Sequence, residues 1–288
     1  MSTKDAGGFE DLRYMWERHS RKYLATYIAK DILRAQPFYT CNVIASYIAD
    51  ANRQADFKQE YRNALPLIGA LFRRWNFFTR QSLKIILRLL VWMRNKRIAW
   101  NRVHITPISI LDIGCGSGNY YRVFKSAGLH PYLHYTGIDI SEKNIENCKV
   151  FFPKERYPNA EFATGNIMEL AYPDASFDVV MVNSVFEHLP PDFLPRAFAE
   201  STRMARALLI INFFNERDIP EHVVRKKKRY HWNCLSRRRI LEMLGSGYDV
   251  KVVEKYPFYR GPKIEAVVDG NPYARTTMLV TPKNRGRT

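Results

Sequence analysis

From about residue 106 the chain alternates short apolar runs with amphipathic stretches. The runs ISILDI (108–113), HYTGIDI (134–140), AEFATGN (160–166), FDVVMVN (177–183) and ALLIINFF (207–214) are bounded by turn residues and read as buried strands. Between them NYYRVFKSAG, SEKNIENCKVFF and DFLPRAFAESTRMA carry apolar residues at helical spacing, with Ser141 placed to cap the second. Parallel neighbours need crossover connections, so this alternation predicts an α/β, doubly wound, mostly parallel sheet. Nearer the end SRRRILEMLGS reads as a helix, while YDVKVVEK (248–255) and ARTTMLVTP (274–282) alternate like exposed or edge strands. The loop joining those two strands, YPFYRGPKIEAVVDGNP, is punctuated by Pro and Gly.

Upstream of residue 102 the pattern is helical: LRYMWERHSRKYLATYIAKDILRA and NVIASYIADANRQADFKQEY are amphipathic, and Pro37 and Pro66 mark breaks. The chain therefore divides into a basic, mainly helical N-terminal extension or cap, 1–102, and an alternating domain, 103–288. Within the extension, residues 73–97 place Arg80, Gln81, Lys84, Arg88 and Asn95 on one narrow helical face and Leu83, Ile85, Ile86, Leu87, Leu89, Leu90 and Met93 on the other. That layout suits a helix lying in an anionic membrane surface, and equally an aliphatic cap packed on the domain.

At 288 residues and 46% hydrophobic, the chain has enough apolar material for a full core. No secretory signal and no run of about 20 apolar residues is evident, and the four cysteines show no zinc spacing. A cytoplasmic setting with free thiols and no metal centre is the expectation, extending to peripheral attachment at the inner face of a membrane. The net charge of +17 is unevenly spread. Residues 101–215 hold 10 Lys/Arg against 12 Asp/Glu, residues 1–100 hold 18 against 8, and residues 216–288 hold 17 against 8. The flanks thus call for an anionic partner.

Candidate chemistry concentrates in LDIGCGSG, where Gly114, Gly116 and Gly118 alternate after a strand and before a helix. Asn119 occupies the place of the last glycine in the dinucleotide fingerprint, which weakens a nicotinamide reading. Asp112 ends the first strand and Asp139 the second, 21 residues beyond Gly118. Glycines allow a sharp turn against a ligand, and a carboxylate at the second strand's tip can accept ribose hydroxyls. A nucleoside-containing cofactor is the reading.

LDIGCGSG, GIDIS, GNIMELAYPDASFDVV and NSVFEHLP, in this order, resemble the class I S-adenosylmethionine-dependent methyltransferases, over about residues 106–214. The resemblance implies a Rossmann-like, seven-stranded sheet with an antiparallel last strand, and S-adenosylmethionine as cofactor. It implies that Gly114, Gly116, Gly118 and Asp112 lie against the cofactor's methionine part, that Asp139 with Ile140 holds the ribose side, and that Asn183 lines the methyl-transfer cleft. Asn166, with Ile167, stands where the family usually has an adenine-binding Asp; its carbonyl oxygen remains an acceptor.

Glu187 and His188 are the candidates for acid–base work, since imidazole titrates near neutrality. A structural role for His188 stands beside that reading, and His231 in RYHWN is a rival. Asn183 is followed by Ser184-Val185-Phe186 rather than consecutive prolines, which disfavours exocyclic amino groups of nucleic-acid bases. The run RKKKR (225–229) and Arg237 to Arg239 form a second basic cluster. A small-molecule or lipid-linked anionic acceptor accounts for both clusters and for the aliphatic helix. An RNA methyltransferase and a catalytically silent cofactor-binding protein are the alternatives.

Overall fold

The computed structural model describes residues 35–52, 105–227, 230–254, 267–268, 271–272 and 276–283. The helix expected over 73–97, Pro66 and most of the N-terminal reading lie outside the described residues. Seven strands form one sheet: β1 (Ile108–Ile113), β2 (Leu133–Asp139), β3 (Ala160–Thr164), β4 (Phe177–Asn183), β5 (Ala205–Phe213), β6 (Tyr248–Val253) and β7 (Thr276–Pro282). Their order is β6-β7-β5-β4-β1-β2-β3. Neighbours from β3 to β5 pair in parallel, and β7 runs antiparallel to both β5 and β6. This is the Rossmann-like architecture expected.

Period-two alternation assigns each strand residue to one of two cores. Ile108 and Ile110 of β1, Val179 and Met181 of β4, and Leu208 and Ile210 of β5 share a cluster with Ile44 and Ile48 of α1 (Ala35–Ala51) and Tyr121 and Phe124 of α2 (Asn119–Ser126). Leu111, Val180, Val182, Leu209 and Ile211 point the other way. They meet Phe198 of α4 (Leu194–Met204) and Ile240 and Leu244 of α5 (Arg237–Leu244). Ser141 caps α3 (Glu142–Phe151), accepting from Asn144 N at 3.3 Å.

Two sequence expectations change in detail. Pro37 lies inside the first turn of α1, where a missing N–H costs nothing because that group has no intrahelical partner. β7 is an interior strand between β5 and β6 rather than an edge, with Thr276 and Thr277 buried. Its alternation misleads because Thr277 Oγ1 donates to Asn212 Oδ1 at 2.6 Å, which satisfies a polar residue inside the sheet. β6 is the exposed edge, as its alternating burial shows.

Helix α1 belongs to the sheet's own core, although it lies in the basic N-terminal part of the chain. Its end is fastened by Asn52, whose Oδ1 accepts from Thr106 N at 2.7 Å and whose Nδ2 donates to Thr106 O at 3.1 Å. At the sheet's opposite end from the site, Asp178 locks three strands together. Its Oδ2 accepts from Ser109 N at 2.8 Å, and its Oδ1 pairs with Arg206 Nη1 at 2.7 Å. Among the described residues no helix is long and apolar enough to cross a membrane.

Candidate cofactor and acceptor site

The glycine loop leaves β1 and turns into α2, with Gly114, Gly116 and Gly118 at φ 74°, 56° and 76°. A side chain is excluded there by the protein itself. A Cβ on Gly118 would stand 2.6 Å from the Phe152 ring, and one on Gly114 would stand 2.3 Å from Val185. The loop is pinned from below as Gly114 N and Cys115 N donate to Ile138 O at 2.8 and 2.9 Å. Glycine is thus demanded by left-handed backbone and packing.

Asp139 is buried at the tip of β2 and joins three segments. Its Oδ2 accepts from Gly116 N at 2.9 Å, and its Oδ1 accepts from Ser141 N at 2.9 Å and Asn144 Nδ2 at 3.1 Å. Burial raises its pKa, against the pull of those donors. A carboxylate has about four acceptor positions, so one remains for a ligand hydroxyl.

Asp112, Asn183 and Asn212 have the same parity on β1, β4 and β5, so all three emerge on the α1/α2 side at the strands' C-terminal ends. Asn183 stands opposite Asn212, which in turn faces Thr277. Asn183 Nδ2 donates to Asp112 Oδ1 at 2.9 Å, and Asn212 Nδ2 lies 2.6 Å from Asn183 Oδ1. Tyr135 Oη donates to the other Asp112 oxygen at 2.5 Å. Tyr120 of α2 and Thr40 of α1 close over Asn212 at 3.0 and 3.1 Å. Burial pushes Asp112 up to about 7, although the bonds from Tyr135 and Asn183 pull it down. Asn212 and Tyr135 were missed by sequence reasoning. The lone polar residue in the apolar run ALLIINFF was the available signal for Asn212.

Asn166 folds back on its own turn, its Oδ1 accepting from Met168 N at 2.9 Å. The amide nitrogen and the second lone pair of Oδ1 remain for a ligand. Ile167 is buried in the second core and Ile140, half-buried, packs against it.

Glu187 and His188 sit in a short 3-10 turn, Phe186–His188, after β4, and their roles diverge. Glu187 is fully buried. Its Oε1 accepts from Phe214 N at 2.6 Å and Asn215 N at 3.2 Å, while its Oε2 is buried without a hydrogen-bond partner. Burial lifts it to about 7. Glu187 therefore holds the segment that follows β5. His188 Nδ1 lies 3.0 Å from His231 O; a carbonyl only accepts, so Nδ1 carries the proton and Nε2 is the basic atom of the neutral ring. The imidazole lies among Phe214, Trp232 and Tyr230, with ring centroids at 5.1, 5.5 and 6.3 Å. His231 supplies a backbone carbonyl to this arrangement, and burial followed by nearby Lys226 lowers its own pKa.

The basic cluster on α5 is largely neutralised within the chain. Arg237 pairs with Glu216 and Glu254, Arg238 with Glu242, and Arg239 with Glu221 and Glu242. Among the described residues no group of three or more His, Cys, Asp or Glu could hold a metal, and the four cysteines are free and buried.

Residues 111–208, about a third of the chain, match the family described as "Methyltransferase domain". The demethylmenaquinone methyltransferase of Lactococcus lactis is 36% identical over 91 residues, 31% of this chain and 35% of that protein. The phthiotriol/phenolphthiotriol dimycocerosates methyltransferase of Mycobacterium leprae is 34% identical over 105 residues, 36% of each chain. The 2-methyl-6-phytyl-1,4-hydroquinone methyltransferase of Synechocystis is 32% identical over 125 residues, 41% of this chain and 36% of that protein. The chain thus spans about a third of the length of these relatives.

The donor set suits S-adenosylmethionine, the cofactor that the sequence resemblance implies. Two buried carboxyls at adjacent strand tips, both raised by burial, gain from a cationic, hydroxylated ligand.

Proposed function

We propose that the protein transfers a methyl group from S-adenosylmethionine to a hydroxyl of a lipid-linked acceptor that carries a flat ring. The observation that carries this reading is the fixed tautomer of His188, whose imidazole lies within an aromatic cluster after the end of β4. S-adenosylmethionine supplies an electrophilic methyl on a sulfonium when it is bound. Asp139 and Asn166 would hold its ribose and adenine, and Asp112 and the glycine loop its methionine part. His188 Nε2 would take the acceptor's proton, and the Phe214, Tyr230 and Trp232 rings would orient the acceptor and exclude water. The three relatives are named for demethylmenaquinone, phthiotriol/phenolphthiotriol dimycocerosates and 2-methyl-6-phytyl-1,4-hydroquinone as acceptors, which supports a lipid-linked acceptor here.

Incubation with methyl-labelled cofactor and separate lipid, RNA, protein and small-molecule extracts tests the proposal. Label is expected in the lipid fraction. His188→Gln should lower transfer about 100-fold or more with cofactor affinity unchanged. Label confined to RNA overturns the acceptor class, and unchanged transfer by His188→Gln removes the base.

A further inference from the structure

The segment between β5 and α5 is fastened at its base. At the base, Glu216 and Arg217 pair with Leu235 and Ser236, and Asn233 Nδ2 donates to Leu189 O at 2.9 Å. Further out, Val223 and Cys234 exchange backbone hydrogen bonds at 2.9 and 3.0 Å. Beyond that bridge Lys226–Lys227 pairs antiparallel with Tyr230–His231, closing a small hairpin.

Residues 223–229 read Val223-Val224-Arg225-Lys226-Lys227-Lys228-Arg229, and no acid lies between Glu221 and Glu242. Val223 and Val224 are 45% and 51% exposed, among the most exposed large apolar side chains described. A run of cations held only for solubility does not require two uncovered valines beside it. Exposed aliphatics next to clustered cations match an anionic bilayer, whose headgroups attract the charge while the aliphatics enter the interface.

The aromatics that follow point to the same partner. Trp232 and Tyr230 are turned onto His188, at 5.5 and 6.3 Å between centroids, and Trp232 also packs on Phe214 at 5.0 Å. They are engaged with the interior instead of forming an outward platform on which RNA bases would stack.

We infer that the outer part of this segment, residues 223–227, is a docking surface for an anionic lipid bilayer. The inference rests on the lipid-linked acceptor proposed above and adds how that acceptor is reached. The inner side of the segment walls His188 and its outer side meets the membrane, so docking sets the acceptor cleft against the bilayer.

The test is co-flotation of the full chain with phosphatidylcholine vesicles with and without phosphatidylglycerol. Binding is expected only with phosphatidylglycerol. Val223→Ser/Val224→Ser should reduce partitioning roughly tenfold. Lys226→Glu should reduce it too, and wild-type binding should persist in part at about 1 M salt, where bare charge attraction is screened. Thermal melting and calorimetry with S-adenosylmethionine keep fold and cofactor site in view, and both should match the wild type. Unchanged flotation of both variants overturns the inference and assigns any binding to another segment, such as 73–97. Absence of flotation with either vesicle overturns it as well, as does salt-sensitive RNA binding that ignores the valines. Failure of the wild-type chain to bind S-adenosylmethionine would sink the methyltransferase reading, while flotation still decides the docking.

Discussion

Asp139 Oδ2 accepts the backbone N–H of Gly116 at 2.9 Å, so the carboxylate expected to hold ribose is also the clasp on the glycine loop. Three segments of the site meet on one side chain: the loop after β1, the tip of β2 and the start of α3.

Asp139→Ala therefore should lose on two counts. Leaving Gly116 N and Ser141 N without their acceptor costs about 1–3 kcal/mol of stability, and removing the ribose acceptor weakens S-adenosylmethionine by a similar amount. Thermal melting and calorimetry separate the two. A folded Asp139→Ala protein with wild-type affinity takes Asp139 out of the cofactor site.

Cofactor affinity should rise with pH through neutrality. Burial raises Asp112 to about 7, so in the empty site it is mostly protonated below that value and ionised above it. A cationic ligand favours the ionised form, and binding then releases a proton. Between about pH 6 and about pH 8, calorimetry in buffers of different ionisation enthalpy should show tighter binding and that release. In Asp112→Asn the dependence should shrink, leaving only what Asp139, raised in the same direction, contributes.

Glu187 should show itself in the stability profile. Its pKa in the fold, about 7, exceeds the ordinary value of 4.5, so the folded state binds its proton more tightly than the unfolded chain. The resulting stabilisation is full below about pH 4.5 and is lost as pH rises through about 7. Glu187→Gln keeps an oxygen for Phe214 N and Asn215 N and cannot ionise, so its denaturation midpoint should fall less over that window. An identical slope in both proteins would show that Glu187 does not titrate there. Because Glu187 is enclosed, the Gln variant should also retain methyl transfer.

Asn166→Asp should keep or strengthen cofactor binding. One oxygen would still accept from Met168 N, and the other would offer an acceptor where the amide has its donor. The gain is at most about 1.5 kcal/mol, the net value of one hydrogen bond. Loss of binding in a folded Asn166→Asp chain would mean that residue 166 does not face adenine.

Much of this architecture was legible in local pattern. The apolar runs located β1 to β5 within a residue or two, Ser141 announced the α3 cap, and LDIGCGSG with Asp139 located the loop. Such features survive in sequence because each is enforced by neighbours along the chain: strand parity, helical spacing, a serine before a helix, glycine at positive φ. Amino-acid order alone thus determined the parallel α/β class, the strand tips that carry acids and the residues of the loop.

Tertiary structure decided which side chains meet. Whether β7 lies at an edge or inside depends on which strand accepts it, and its threonines read as solvent-facing until Asn212 supplies a partner. The Asp112–Asn183–Asn212 chain spans 100 residues of sequence and exists only because three strands of equal parity lie side by side. Glu187 and His188 are adjacent in sequence yet differ in role, since one side chain turns to the backbone of Phe214 and the other to the carbonyl of His231. Hydrogen bonds between distant strands and loops leave no periodicity in the sequence. Their partners are selected by packing, where a buried polar group must find a donor or acceptor in whatever element the fold brings beside it.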